Sequence, residues 1–345
     1  MLLDWITARL PLRLFTEEQQ AGLRNLTDRI QRYCPQTGEV KFESQAWDSI
    51  RSDSHQVVFR VGSTDFWLQG SPARAIGDGD AVFSSGPAAA LDVPGCVDRM
   101  INVLFAGIGP HLKPVATRNA WIVTRVDVTG NLLLGSLSEV RDALRLLRNV
   151  EGGRYKVSNQ AGDTVYWSAK SRLQAGKAYA KGPHLSYLMK KKDYDGRRYS
   201  DAELDQASRL LRLELRLGRE FFLRAEPWHT LTKSYLVSLW ENYFGRMLGG
   251  CEVKTDNELL ENCISAATTP GQGRSAYALW CLIKSEGWER AQNMTNKRTW
   301  YHNLKILRAS GLGDADFSAG NVVHLRRKII EVTLATSWAD IKRVA

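Results

Sequence analysis

The chain lacks the cysteine pattern of a disulfide framework or a structural zinc site. Its five cysteines, Cys34, Cys96, Cys251, Cys263 and Cys281, are odd in number, widely spaced and form no C-x-x-C pair. Reduced thiols in a cytoplasmic protein are the simplest expectation. There is no apolar run long enough to span a bilayer. The opening "MLLDWITARLPLRLF" carries Asp4 ahead of a short apolar stretch, where a secretory leader has basic residues. Internal repeats and low-complexity segments are also missing. Acidic residues are the scarcer charge: 37 Asp plus Glu face 47 Lys plus Arg, a formal net charge of +10. With no membrane segment, that excess points to nucleic acid as the polyanionic partner. At 345 residues, 43% hydrophobic and 24% charged, the composition is that of a globular protein with room for two domains.

Patterning divides the chain in two. "LLDWITARLPL" reads as a strand, Glu17 to Arg32 as a helix, and "QVVFRVGSTDFWLQG" as a hairpin turning at Gly-Ser-Thr. A helix is expected within "PGCVDRMINVLFAGIG", then a strand "AWIVTRVDVTGN" closed by Gly-Asn. In "SLSEVRDALRLLRNVEGG", Ser136 and Glu139 fit a capping box, Val140, Leu144 and Leu147 recur at helical spacing, and Gly152-Gly153 end the helix. "DTVYWSAKSRLQAGKAYAKG" is a second hairpin, and in "LLRLELRLG" the strict alternation favours a strand over the rival helical reading. Past Pro227 the pattern is helical throughout. The expected fold is α+β: a central antiparallel sheet flanked by helices over residues 1–228, then a helical module over 229–345.

On the strands of the first domain, polar groups recur on alternate positions. Lys177, Tyr179 and Lys181 share one side of "GKAYAKG", Arg125 and Asp127 one side of "TRVDVT", and Arg212, Glu214 and Arg216 one side of "RLELRL". A phenol, an amine, two carboxylates and several guanidinium groups suit phosphoryl transfer on DNA. A phenol with a pKa near 10 needs a neighbouring cation to attack a phosphodiester, and carboxylates hold Mg2+ or Mn2+ to absorb charge on the phosphorane oxygens. Arg125, Lys177, Arg212 and Arg216 are the candidate DNA contacts there. Spacing alone leaves plainer readings open: a tyrosine packed between alanines, and acids paired with neighbouring arginines.

These segments, in this order, resemble the replication initiators of filamentous phages, the gene II/X protein family. The matching pieces are "MLLDWITARLPL", "GSPAR...AVF", "TRVDVT", "ALRLLRNV", "DTVYWSAKSR...AYAK" and "RLELRL", spread over nearly all of the first 220 or so residues. The resemblance implies an HUH-endonuclease-like sheet and a nicking-closing activity that drives rolling-circle replication. It makes Tyr179 the nucleophile and Lys181 its lysine partner. Asp127 and Glu214 become ligands for Mg2+ or Mn2+. Many such nucleases bind metal through a His-hydrophobe-His pair. Here the six histidines, His55, His111, His184, His229, His302 and His324, are far apart, which places the weight on carboxylates. The "GDAVF" segment has no histidine and is assigned no catalytic role.

The C-terminal "SAYALWCLIKSEGWERAQNMTNKRTWYHNLKILRASG" reads as three helices broken at Gly287 and near Thr295, like a helix-turn-helix or winged-helix unit, with a plain helical bundle as the rival. On the third helix Trp300, Leu304 and Leu307 are expected inward, leaving Lys297, Arg298, Tyr301, His302 and Lys305 for a DNA groove. "HLRRKIIEV" is a further candidate phosphate contact. The partners implied are double-stranded phage origin DNA, the single strand exposed there, and the host helicase and single-strand-binding protein. Whether the protein acts as a homodimer is left open. A non-catalytic DNA-binding regulator is the rival function.

Overall fold

The computed structural model describes residues 1–45, 48–52, 55–148, 157–158, 164–192, 194, 196–225, 227–248, 256–313, 317 and 334–342. "HLRRKIIEV", Gly152-Gly153 and Cys251 lie outside them. The chain forms β1 (Leu2–Pro11), β2 (Arg29–Tyr33), β3 (Val40–Gln45), β4 (Asp48–Ser52), β5 (His55–Val61) and β6 (Asp65–Gly70). Later come β7 (Ile122–Leu133), β8 (Val157–Ser158), β9 (Thr164–Trp167), β10 (Gln174–Ala180), β11 (Leu210–Leu217) and β12 (Leu334–Ala335). Ten of these make one antiparallel sheet in the order β4-β5-β6-β1-β7-β11-β10-β9-β8, with β12 added beside β7, while β2 and β3 form a separate ribbon.

The alternation seen in the sequence sets the two faces. Leu3, Ile6, Phe59, Phe66, Val126, Val128, Leu211, Leu213, Leu215 and Leu217 all point into one core. Over it lie the helices Val93–Ile108, through Val97, Met100 and Phe105, and Leu137–Arg148, through Val140, Leu144 and Leu147. The helix Lys233–Leu248 closes the same core with Leu236, Trp240, Tyr243 and Phe244. Packing therefore does not break at residue 228. β12 and the helix Trp338–Lys342 also return to the sheet, where Ala335, Ile341 and Trp338 join Val82, Phe83 and Tyr199.

Several expectations differ from the structure; past Pro227, where the pattern reads as helical throughout, Leu334–Ala335 is a strand of the sheet. The first helix stops at Asn25 and the chain continues as β2, whose residues are all exposed. Gly130-Asn131 does not end its strand. Gly130 sits inside β7 because Trp240 packs over it, so closely that an added Cβ would stand 2.7 Å from the ring.

Beyond residue 256, the helices Asp256–Ala266, Pro270–Glu286, Trp288–Met294 and Lys297–Ala309 share their own core around Leu259, Ala276, Ile283, Trp300 and Leu304. Gly287, with φ +81°, makes the first break. Among the described residues this unit has no strand pair of its own to form a wing.

Candidate active site

The antiparallel register brings the polar residues of three strands to one face. Tyr179 lies opposite Arg212, Lys177 opposite Glu214, Glu214 opposite Thr129, and Arg216 opposite Asp127. Directly opposed residues share a side of the sheet, so Tyr179, Glu214, Asp127, Arg125 and the two β11 arginines all lie opposite the leucine side.

Tyr179 donates its hydroxyl hydrogen to Glu214 Oε1 at 2.6 Å. Lys177 Nζ stands 4.0 Å from the centre of the tyrosine ring and 3.5 Å from Glu214 Oε2. The ring is only 3% exposed, yet it is surrounded by these polar groups, while its neighbours Ala178 and Ala180 join the hydrocarbon core. Burial and the Glu214 carboxylate push the phenol well above its ordinary pKa. Glu214 is raised too, by burial and then by Asp4.

Lys181 does not continue the strand as alternation suggests. β10 ends at Ala180, and Lys181 is the first residue of the helix Lys181–Met189. Its side chain is nonetheless buried at the site. Burial and the Arg212 charge lower its pKa well below that of an ordinary lysine. His184, one turn on, packs edge-on against Tyr179 with ring centres 4.8 Å apart, and burial with Lys181 nearby lowers it to about 3.

Arg212 is fully buried and fixed on three sides. Its Nε donates to Asn131 Oδ1 at 2.8 Å, its Nη2 to the Val82 carbonyl at 2.5 Å, and its Nη1 faces Asp4 at 3.7 Å. Asn131 Nδ2 donates to the same carbonyl at 2.8 Å. Val82 belongs to "GDAVF", whose contribution is thus a backbone oxygen. Asp80 pins that loop, accepting from the Tyr199 hydroxyl at 3.1 Å and from Trp338 Nε1 at 2.7 Å.

Asp4 is the site residue that alternation hides. Leu3 pairs with Val128 and Trp5 with Asp127, so Asp4 is the extra residue of a β-bulge, a device that re-aims a side chain. Its carboxylate lies 3.7 Å from Arg212 Nη1, with Lys181 and Glu214 close enough to act on its charge. Burial works to raise its pKa, but Arg212 and Lys181 hold it below the usual carboxylate value.

Asp127 is gripped through both oxygens by Arg125, and Arg216 donates to the Ala169 and Ser171 carbonyls at 2.6 and 3.1 Å, bracing the turn before β10. Asp127 and Glu214 therefore do not present a free ligand pair, since one holds Arg125 and the other holds Tyr179 and Lys177. Among the described residues, no group of three or more His, Cys, Asp or Glu side chains is placed to hold an ion.

On the helix Lys297–Ala309, Trp300, Leu304 and Leu307 are buried while Lys297, Arg298, Tyr301, His302 and Lys305 are exposed. Among the described residues no helix is long and apolar enough to cross a membrane. No curated protein matches the chain. Residues 2–242, more than two-thirds of the chain, match the family described as the N-terminal region of the phage replication-associated gene II protein, a span that takes in the whole Tyr179 site. The chain belongs to this family of phage replication-associated proteins.

Proposed function

We propose that the protein nicks one strand of DNA at a phage replication origin and later rejoins it, through a covalent bond between Tyr179 Oη and a 5′ phosphate. The observation that carries this reading is the Tyr179 hydroxyl donating to Glu214 Oε1 at 2.6 Å with Lys177 4.0 Å from the ring centre. As Oη bonds to phosphorus, its proton passes to Glu214, so a free phenolate, disfavoured by burial, never forms. The bond from phosphorus to the 3′ oxygen breaks. Lys181, an amine buried at the site whose pKa burial and Arg212 lower well below that of an ordinary lysine, hands its proton to that oxygen and recovers it when the strand is closed. Lys177 supplies positive charge beside the reacting phenol. A Mg2+ or Mn2+ ion arriving with the DNA would absorb charge on the non-bridging phosphate oxygens, while Glu214 is kept for the phenol proton.

On this reading the sheet is an HUH-type nicking domain, and the exposed Lys297, Arg298, Tyr301, His302 and Lys305 dock the C-terminal helices on duplex origin DNA. The released 3′ hydroxyl primes synthesis, while host helicase and single-strand-binding protein handle the displaced strand. The test is supercoiled origin plasmid incubated with Mg2+ and either the parent or Tyr179→Phe. The parent is expected to give open circles, and the variant to bind without nicking. Nicking by the variant at the parental rate would end the assignment. Binding without nicking by the parent would favour a non-catalytic regulator.

A further inference from the structure

The polar face carries a second pattern, away from Tyr179. Trp67 on β6 lies opposite Arg60 on β5 and Arg9 on β1, and each guanidinium carbon stands 5.8 Å from its ring centre. Arg125 on β7 stands 5.6 Å over Trp5 of β1. Lys177 on β10 stands 5.8 Å from the Tyr166 ring of β9 as well as 4.0 Å from Tyr179. All these residues but Tyr179 are partly exposed. Aromatic rings and cations thus recur from β5 to β9 and pass the candidate nucleophile on β10. At the other end a cleft of about 810 Å³ opens towards the β2–β3 ribbon, with Arg24, Arg29, Phe42, Arg60 and Trp67 in its walls beside Glu43 and Asp65.

We infer that this row is a track for single-stranded DNA, with its far end in the cleft and the scissile phosphate delivered to Tyr179. The inference rests on the nicking reading. The chain's net charge of +10 suits a polyanion although Arg9, Arg125 and Lys177 also face Asp65, Asp127 and Glu214, and it is the rings that select a strand whose bases are unstacked. A duplex keeps its bases within the helix and has no use for Trp67 or Trp5 on a sheet surface. A phenol 3% exposed also requires a strand that can leave the duplex. From β6 to β10 there are four inter-strand steps, about 19 Å at ~4.8 Å each, the reach of a few nucleotides.

The experiment measures fluorescence anisotropy of a short labelled origin oligodeoxynucleotide, with every variant built on Tyr179→Phe so that no cleavage intrudes. Trp67→Ala and Trp5→Ala are each expected to weaken single-strand binding about 5- to 150-fold. Trp67→Phe, which keeps a ring, is expected to bind as the parent does. Arg60→Gln is expected to lower the slope of log affinity against log salt by about 0.7. Trp67→Phe and Arg60→Gln carry the test should an alanine variant lose its fold by circular dichroism. Parental affinity in folded alanine variants with an unchanged Arg60→Gln salt slope would overturn the track, as would an RNA of the same sequence binding more tightly than the DNA. Because the readout is binding, it fails separately from nicking: if Tyr179→Phe still cleaves, the nucleophile is wrong whatever the anisotropy gives.

Discussion

Replacing Glu214 by Gln separates the base from the scaffold. The amide keeps the side chain's shape and an oxygen to accept from the Tyr179 hydroxyl, but it takes up no proton. Loss of a positioned general base slows a reaction by ~10²–10⁴-fold, which is about 2.7–5.4 kcal/mol of barrier. The fold has reason to tolerate the change. Glu214 is a buried acid whose folded-state pKa lies above its unfolded value. Its ionised form therefore costs stability, a cost absent below the unfolded pKa and growing as pH rises through the folded one. The Gln variant is expected to be as stable as the parent where Glu214 is protonated and more stable once it ionises. Initial rates of supercoiled-to-open-circle conversion, taken across pH, supply the readout. The parental rate should rise as Glu214 ionises, and the variant should be slow and lack that limb. A variant nicking within a factor of about ten of the parent, below the range expected for a lost base, would refute the role of Glu214 as the proton acceptor.

Three further outcomes follow from the packing. His184 has a folded-state pKa of about 3 against an ordinary 6.5, so as pH falls below about 6.5 the unfolded chain takes up its proton first. Stability should drop between about pH 6.5 and 3 by less than ~1.4 kcal/mol per pH unit, since the ring is partly exposed. His184→Gln should flatten that slope in urea titrations. Gly130→Ala sets a Cβ 2.7 Å from Trp240 and 3.1 Å from Leu334, and should cost about 1–3 kcal/mol in the same titrations through overpacking. Lys297→Ala and Arg298→Ala should each lower the salt slope of duplex origin binding by about 0.9.

Much of this architecture is legible in the sequence because a half-buried strand writes its two faces into alternate residues. Leu211, Leu213, Leu215 and Leu217 against Arg212, Glu214 and Arg216 is the plainest case, and the register then sets Tyr179 opposite Arg212. Departures from period two are what alternation hides. Asp4 reaches the site through a bulge, and Lys181 reaches it from a helix that begins where the strand pattern would have carried on. Backbone groups leave no trace either. The Val82 carbonyl holds Arg212 and Asn131 from a loop that offers no catalytic side chain. Contacts made across long sequence distances were equally silent. Trp240 over Gly130 and Trp338 on Asp80 join segments more than a hundred residues apart, so neither the continuation of β7 past Gly130 nor the return of the C-terminal strand to the sheet could be inferred from local pattern.

The most direct measurement is the site of the covalent bond. Origin DNA cleaved by the protein, digested with nuclease and trypsin, leaves a nucleotide on whichever peptide held the nucleophile. Tandem mass spectrometry should place that nucleotide on Tyr179, within the Ala178–Lys181 peptide released by cleavage after Lys177 and Lys181. A nucleotide on any other residue, or efficient nicking with no covalent adduct, would contradict the account.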